Sequence, residues 1–249
     1  MLGDNKQPLR TMNQKSTLSP ASLRQAPRMS LVDSTIGVIR THIESGAWAV
    51  GERIPKEQEL ADMLQVGRNT VREAIRVLSH ANVLEVRQGD GTYVRSSVDP
   101  TEIMRQVARS SMRDHYELKA ILEAAAARLA ATNRSEEDVV ILRDLLKARG
   151  EQHDERNAEN FADADMAFHA AIVRMSNNTA LVELYRYLSG TLRTDVLSVM
   201  ADADLPEPGL LAHEAIVDAI AREDGEGAAA AARAVVAPLI SALTTKSAN

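Results

Sequence analysis

The sequence predicts a mainly α-helical protein in two parts: an N-terminal module of three helices and a β-hairpin, then an all-helical bundle of six or seven helices. Apolar residues recur every three or four positions over most of the chain, as they do in amphipathic helices. Residues 84–94 instead form two short runs around a pair of glycines, and no such pattern follows residue 96. The 249 residues, 45% of them apolar, suffice for two domains of ordinary size.

The first two helices are predicted from apolar spacing and from the residues that end them. The first helix has four apolar residues at helical intervals, namely Val32, Ile36, Ile39 and Ile43. Gly46 ends it, because glycine readily adopts the backbone conformation found after a helix. A short second helix follows Pro55, and Gly67 either ends that helix or caps the third.

The third helix carries three arginines outside its apolar stripe, which consists of Val71, Ala74, Ile75 and Leu78. Charged helix residues such as Arg68, Arg72 and Arg76 are most often a solvated, salt-bridged face. The glycine-tipped hairpin that follows changes this interpretation, because three helices and such a hairpin make a winged helix. In that arrangement the third helix enters the major groove of double-stranded DNA, where arginine pairs with guanine or braces a phosphate.

Residues 51–94, from GERIPKEQEL to GDGTYV, resemble without a gap the winged-helix domain of the GntR family of bacterial transcription regulators. The resemblance implies that Arg68 and Arg72 contact the operator. It also implies that Asn69 and Thr70 line the groove or the phosphates, and that Gly89 approaches the minor groove.

Two helix starts depart from the pattern of this family. Lys56 stands where serine is usual, Gln58 where arginine is common, and Gly67 where serine or threonine is common. We expect Lys56 to supply charge to the DNA backbone in place of the missing hydroxyl. The predicted DNA-binding residues are Lys56, Gln58, Arg68, Asn69, Thr70, Arg72, Arg76 and Gly89.

Charge and composition divide the chain near the polar stretch RSSVDP. Residues 1–95 hold 13 Lys and Arg against 10 Asp and Glu, whereas residues 96–249 hold 16 against 25. The expected divisions are a disordered basic tail (1–29), the winged helix (30–95), a linker (96–113) and the helical domain (114–245).

Helical spacing continues through residues 114–245. In the first helix of this domain, one stripe is expected to face the core: Leu118, Leu122, Ala125 and Leu129. The second helix begins with a capping box from Ser135 to Asp138. Four further helices are expected at roughly 159–175, 179–200, 208–222 and 227–243.

Three polar residues lie on the apolar stripes of this domain. Asp165 and His169 are one helical turn apart, so their Cβ atoms are roughly 5 to 6 Å from each other. His213 is centred among apolar residues of another helix. The three side chains could share a divalent ion, or they could be core residues that bond each other, with His213 bonding Asp165.

The stretches DADMAFHAAIVRMSNNTALVELY and HEAIVDAIAREDGEGAAAAA resemble the FCD domain of the FadR subfamily, over most of residues 114–240. The resemblance implies an effector-binding domain that often holds a divalent ion on one Asp and three His, beside a small carboxylate. Asp165, His169 and His213 match three of those ligands, while Val235 stands near the place of the fourth. Three ligands can hold zinc, nickel or manganese, with lower affinity.

An anionic effector needs cationic or amide donors. Asn178 and Arg193 are the candidates, whereas Lys119 is expected to pair with Glu123 on the surface. Cysteine is absent, which excludes disulfides and thiolate metal sites. The longest apolar stretch, residues 228–240, is broken by Arg233 and falls short of a bilayer span, so no membrane partner is expected.

These observations predict a cytoplasmic, homodimeric transcription regulator that binds an inverted-repeat operator and whose affinity changes when a small organic acid binds. Two alternatives stay open at this point. One is a metal-dependent enzyme that uses Asp165, His169 and His213. The other is a DNA-binding protein whose helical domain binds no ligand.

Overall fold

The computed structural model describes residues 30–150 and 157–247, and the chain divides between Asp99 and Pro100 into two compact units. The predicted basic tail, residues 1–29, lies outside the described residues. Both units are mainly helical, and the described part of the first also contains a two-stranded sheet. The predicted fold class is confirmed.

The first unit contains three helices followed by a hairpin: α1 Leu31–Glu44, α2 Glu57–Leu64, α3 Arg68–His80, β1 Leu84–Arg87 and β2 Gly91–Val94. The two strands pair antiparallel, with Leu84 opposite Val94 and Arg87 opposite Gly91. At the turn, Gly89 has a φ of 79°, a left-handed conformation that glycine adopts without strain. The order of elements is that of the predicted winged helix.

The core of this unit collects apolar side chains from all three helices and from the hairpin. Ile39, Val71 and Leu78 are completely buried, and Leu60 is nearly so. The apolar stripe predicted for α3 is buried in full. Because α3 turns this stripe inward, its opposite side, with the three arginines, faces solvent.

The described part of the second unit contains seven helices: α4 Pro100–Val107, α5 Met112–Asn133, α6 Glu136–Arg149, α7 Ala158–Met175, α8 Thr179–Met200, α9 Leu210–Ala221 and α10 Gly225–Ser247. The capping box at the start of α6 is present as predicted. Helix α4 lies inside residues 96–113, which the sequence pattern had suggested as a linker. Its first residue is Pro100, a position where the missing N–H removes no helical hydrogen bond.

The face that α5 buries differs from the predicted stripe. Ala125 is exposed, and the three leucines predicted beside it are only partly buried. The buried face instead carries alanines together with Tyr116, Lys119 and Glu123. Small side chains let helices approach closely, and the alanine-rich helix α10 packs against this alanine-rich face. Leucine spacing therefore indicated the wrong side of the helix.

Helix α10 has the length and composition of a possible membrane span, in contrast to the expectation from residues 228–240. It has 23 residues, and its most apolar window of 18 has a mean hydropathy of 1.5. Length and composition alone do not distinguish a span from the core helix of a bundle. Here Ala228, Ala232 and Val236 are buried in the hydrophobic core, and α10 packs against α5 and α9. We interpret α10 as a core helix.

Candidate nucleic-acid interface and ligand cavity

The exposed side of α3 presents a row of arginines. Arg72 donates a hydrogen bond to Asn69 Oδ1 at 2.6 Å, which holds both side chains on the same part of the surface. Arg76 lies 3.6 Å from Glu73, and Arg68 lies 4.0 Å from Glu57. Ion pairs this exposed contribute little to stability, so these guanidinium groups can exchange their partners for phosphates or bases at small cost.

The start of α3 has features that suit an anion. Gly67 is its N-cap and offers no side chain to accept from the first N–H groups of the helix. Thr70, half-buried in the first turn, donates its own N–H to the carbonyl oxygen of Gly67 at 2.9 Å. N–H groups at a helix start attract phosphate, because they point outward at the positive end of the helix dipole.

Lys56 and Gln58 lie at the beginning of α2. Lys56 is the exposed N-cap residue, and its backbone N–H donates to Glu59 Oε2 at 2.9 Å, which leaves its ammonium group out of the cap. Gln58 Nε2 donates to Asp62 Oδ1 at 2.9 Å on the same helix. Lys56 also lines a groove of about 400 Å³ together with Gly89 at the hairpin tip.

Arg53, a residue that the sequence pattern did not single out, lines the same groove. Residue Gly91 explains how the arginine fits, because a Cβ at this position would collide with the Arg53 guanidinium. The groove therefore brings three cations, Arg53, Lys56 and Arg87, together with the hairpin tip, and two carboxylates also line it. The sequence signal for Arg53 was Gly91, the second glycine of the turn. This glycine lets the Arg53 side chain approach the hairpin backbone closely, in addition to any role in the turn.

The second unit contains a cavity of about 30 Å³ whose lining includes Asp165, His169, His213 and Val235. Asp165 Oδ1 lies 3.8 Å from His169 Nε2 and 3.6 Å from His213 Nε2. All three side chains are buried, as the apolar stripes predicted. One donor atom from each lies within 4.8 Å of the others, so they form a possible Asp/His/His site.

His213 is oriented by the backbone and not by Asp165. Its Nδ1 donates to the carbonyl oxygen of Gly209 at 2.9 Å, so its Nε2 carries the lone pair that faces the cavity. The expected bond from His213 to Asp165 is therefore absent at their 3.6 Å separation. Burial, together with the charges of His169 and Arg149, lowers the pKa of His213 to about 3, which keeps this imidazole neutral.

Arg149 is the central cation of the cavity, and the sequence reasoning missed it. Its side chain is 1% exposed, and its Nε donates to Asp165 Oδ1 at 2.7 Å. Its other nitrogens donate to Glu207 and to the carbonyl oxygens of Gly150 and Pro208.

A signal for Arg149 was present in the sequence. Val139, Leu142 and Leu146 form the buried stripe of α6, and Arg149 is the next position at helical spacing. The guanidinium also stacks 4.7 Å from the ring centroid of Phe161 on α7. A cation on an apolar stripe is expected to need a buried carboxylate, and Asp165 provides it.

A second buried ion pair lies beside this cavity. Lys119 Nζ donates to Glu123 at 2.9 Å, and Tyr185 donates to Glu123 Oε1 at 2.6 Å. The predicted pairing of Lys119 with Glu123 is present, but both residues are 3% exposed, so its predicted place on the surface was wrong. His169 Nδ1 is 3.0 Å from Glu123 Oε2, although neither ring nitrogen of His169 has a hydrogen bond of good geometry with a described residue.

The charges of this region hold its carboxyl groups ionised. Burial alone would raise the pKa of Glu123, but His169 and Lys119 outweigh it and place that pKa well below the usual range. Burial likewise opposes the ionised form of Asp165, and His169, Lys119 and Arg149 lower its pKa in spite of it. The cavity lining therefore combines the charged side chains of Asp165, Arg149 and Lys119 with the neutral imidazole of His213.

The Asp165, His169 and His213 cluster offers ligand types that can hold a divalent ion. The donors converge, but Asp165 Oδ1 already accepts from the guanidinium of Arg149. Buried Val235 lines the cavity, near the place where the resemblance implies a fourth ligand. An ion on that oxygen would lie roughly 5 Å from the positive charge, a repulsion of several kcal/mol at an effective dielectric constant of about 20. With Arg149 in this position, the cluster does not fit the ion.

Asn178 and Arg193, predicted to hold an effector, lie away from the lining of this cavity. Asn178 is the N-cap of α8, where its Oδ1 accepts from Leu181 N–H at 3.1 Å. Arg193 is a surface residue paired with Asp163 at 2.5 Å. Both residues are thus engaged elsewhere, and their predicted contact with an effector has no support from the geometry.

The first unit has an arginine-bearing helix and a glycine-tipped hairpin, and the second has a buried cavity built on paired charges. Together these features define the class of DNA-binding regulators that carry a ligand-binding domain. Residues 31–94 match the model of the bacterial regulatory proteins of the gntR family, and residues 114–237 match the FCD domain. The chain belongs to the GntR family, and it is a transcription regulator with an FCD effector-binding domain, not an enzyme.

Several curated relatives are transcription regulators by name. The chain is 30% identical over 199 residues to the HTH-type transcriptional regulator LutR of Bacillus subtilis (strain 168), covering 76% of this chain and 90% of the relative. It is 32% identical over 153 residues to the Uxu operon transcriptional regulator of Escherichia coli (strain K12), covering 60% of each. The galactonate operon transcriptional repressor of the same organism is 24% identical over 84% of this chain and 95% of the relative.

Proposed function

We propose that α3 and the hairpin bind an operator in a sequence-specific manner, and that an organic anion bound in the cavity of the second unit changes the affinity of the protein for that operator. The observation that carries the proposal is the row of three exposed arginines on α3, which begins after an N-cap without a side chain. In this proposal Arg68 and Arg72 contact base edges, since arginine pairs bidentately with guanine. Asn69, Thr70 and Arg76 line the groove or the phosphates.

The groove between α2 and the hairpin is proposed to follow the DNA backbone. Lys56 and Arg53 supply positive charge there, and Gly89 allows the hairpin tip to approach the minor groove. Gln58 contributes through its amide once it leaves Asp62. Cations that contact phosphate strengthen binding to any sequence, so this groove gives affinity and α3 gives specificity.

The effector is proposed to be a small carboxylate. Arg149 and Lys119 are buried cations on the cavity lining, and Arg149 already binds carboxylates of the protein itself. A planar guanidinium suits the two oxygens of a carboxylate. The relative named for the galactonate operon makes a sugar acid a suitable first compound to test.

The predicted zinc, nickel or manganese ion is replaced in this proposal. Arg149 provides on Asp165 the positive charge that an ion would bring, so His169 and His213 act as walls of the cavity. Two residues of this chain support the replacement of the ion. Arg149 points into the cluster, and Val235 stands where a histidine would be needed.

A homodimer is proposed to form through α5. Ile121 is 66% exposed, and beside it on the same face lie Leu118, Leu122 and exposed Ala125. An apolar helix face of this kind in a soluble protein is typical of an interface. A second copy related by a two-fold axis would cover it and would present two winged helices to an inverted repeat. The regulator is proposed to act in the cytoplasm, as the class of its relatives suggests.

The dimer is tested by sedimentation of the full chain. Ile121→Glu should give monomers, whereas Val140→Glu should not, because Val140 is similarly exposed, at 57%, but lies on α6. Dimers of both variants at the same concentration would contradict the proposed interface.

The effector proposal is tested by thermal shift and by operator binding together. Each acid of a panel of sugar acids and short organic acids is added to the full chain. A ligand at a hundred times its Kd stabilises its domain by about 2.7 kcal/mol, which a thermal shift detects. The same acid should change the Kd for a fluorescent operator fragment several-fold. Acids that stabilise the protein without changing operator affinity would contradict the regulatory role.

A further inference from the structure

The nitrogens of the buried Arg149 guanidinium are bound by two different parts of the second unit. Asp165 binds its Nε, the carbonyl of Gly150 binds Nη1, and Phe161 stacks on its face. These partners belong to α7 and to the residue that follows α6. The remaining nitrogen, Nη2, donates to Glu207 and to the carbonyl oxygen of Pro208.

Glu207 belongs to a segment of different character, residues 201–209 between α8 and α9. The segment forms no helix, and most of its side chains are exposed or half-buried. The Glu207 side chain is 19% exposed, compared with 1% for Arg149 and 9% for Asp165. Glu207 therefore reaches the buried cation from the mouth of the cavity, on a segment whose local opening is easier than that of the helices.

We propose that Glu207 is a built-in carboxylate ligand of Arg149, and that the effector binds by putting its own carboxylate in that place. The inference rests on the proposed effector cavity and deepens it. It assigns Nη2 of Arg149 as the anchor for the effector, residues 201–209 as the segment that moves, and a monocarboxylate group as the minimal ligand.

Charge balance favours an exchange of this kind. Arg149 lies between two carboxylates, Asp165 and Glu207. When an incoming carboxylate replaces Glu207, the buried guanidinium keeps the same number of charged partners, and the Glu207 carboxylate leaves the guanidinium. A neutral ligand would leave the guanidinium short of an acceptor, which is costly in a buried site. The exchange therefore selects anions.

Space favours the exchange as well. The cavity has about 30 Å³, room for only a few water molecules, and Glu207 and Pro208 form part of its wall. A sugar acid is larger than that, and movement of these two residues would make room for it. Pro208 is followed by Gly209, whose carbonyl orients His213 at the start of α9, so movement of the segment reaches that helix.

The exchange is tested with acetate as the probe and acetamide as its neutral counterpart. Ligand-observed NMR titrations use the full chain as wild type, Glu207→Gln, Glu226→Gln and Arg149→Met. Glu226 pairs with Arg128 on the surface, so Glu226→Gln removes one carboxylate from an exposed guanidinium pair and serves as the matched control. Circular dichroism checks that each variant is folded.

Removing a competing internal ligand raises the fraction of binding-competent protein, so Glu207→Gln should bind acetate at least tenfold more tightly than wild type. Glu226→Gln should match wild type, and acetamide should bind none of the proteins. Arg149→Met should lose acetate binding. If that variant is unfolded, limited proteolysis of the wild type replaces it, and cleavage within residues 201–209 should become faster when acetate is added.

If Glu207→Gln binds acetate as tightly as the wild type or more weakly, the exchange is overturned. It is also overturned if neither the wild type nor Glu207→Gln binds acetate. Proteolysis that acetate leaves unchanged in a wild-type protein that binds it also overturns the exchange. If a larger acid still alters operator affinity in these cases, the proposed regulator stands and only the role of Glu207 fails. If no acid alters operator affinity, the proposed effector function fails with it.

Discussion

Replacing Arg149 by methionine should destabilise the second unit strongly. The substitution keeps an apolar chain against Phe161 but removes the hydrogen-bonded charge from Asp165 and Glu207. The Asp165 side chain is 9% exposed, so its carboxylate cannot turn to water without opening the cavity. Breaking a buried ion pair by removing one partner costs about 3 to 5 kcal/mol, because the other charge stays buried.

A double-mutant cycle isolates the pair. Asp165→Asn alone leaves Arg149 with Glu207 and two carbonyl oxygens, so its cost should be smaller than that of Arg149→Met. The double variant removes both charges and should cost less than the sum of the single variants. The difference, which is the coupling energy, should be about 1 to 3 kcal/mol for contacting residues.

Urea unfolding at pH 7, followed by far-ultraviolet circular dichroism, measures these free energies. Dichroism is the suitable signal because Trp48, the only tryptophan of the chain, lies in the first unit. Arg128→Met is the control: Arg128 pairs with Glu226 at the surface, and the loss of such a pair costs about 1 kcal/mol or less. A cost for Arg149→Met equal to that of the control, or a coupling energy below about 0.5 kcal/mol, would refute the buried pair.

Three further predictions concern DNA, metal and pH. Arg72→Ala should cost about 1 to 3 kcal/mol of binding free energy at the operator and flatten base preference, and an equal loss on random DNA would reject base reading. Lys56→Ala should lower the slope of log affinity against log salt concentration by about one unit on any DNA. Elemental analysis of protein purified without a histidine tag should find less than about a tenth of an equivalent of zinc, nickel or manganese. Val235→His should raise this metal content only when it is combined with Arg149→Met. One equivalent of metal in the wild type would contradict the replacement of the ion by Arg149. The lowered pKa of His213 contributes stability that is fully present above pH 6.5 and is lost as the pH falls toward 3. Between pH 6.5 and 5 the free energy of unfolding of the wild type should therefore fall by about 1.5 kcal/mol more than that of His213→Gln. Equal losses would contradict a neutral buried imidazole.

The winged helix could be predicted almost completely because local signals determine it. Apolar spacing placed α1 and α3, and Gly46, Gly67 and Gly89 marked a helix end, a boundary between two helices and a turn. The second unit was harder. In α5, alanines and not leucines face the core, since the closeness of α10 decides which side is buried, and spacing within one helix does not reveal its neighbour.

The same limit applied to the cavity. Helical spacing correctly brought Asp165 and His169 together, and an apolar stripe correctly buried His213. The cation that meets them comes from the end of a different helix, 16 residues before Asp165, and Glu207 comes from a segment without periodicity. Pairings between distant charged residues leave no pattern in a single sequence, so Arg149 and Glu207 required the structure.

The most direct test of the regulator is selection of its operator from a random DNA pool, followed by hydroxyl-radical footprinting of the full chain on the selected fragment. A dimeric regulator should enrich one inverted repeat and protect two half-sites whose centres are separated by one helical turn or a multiple of it. Arg68→Ala and Arg72→Ala should each weaken the enrichment and flatten base preference while the domains stay folded. No enriched sequence, or protection of a single asymmetric half-site by a monomer, would contradict this prediction.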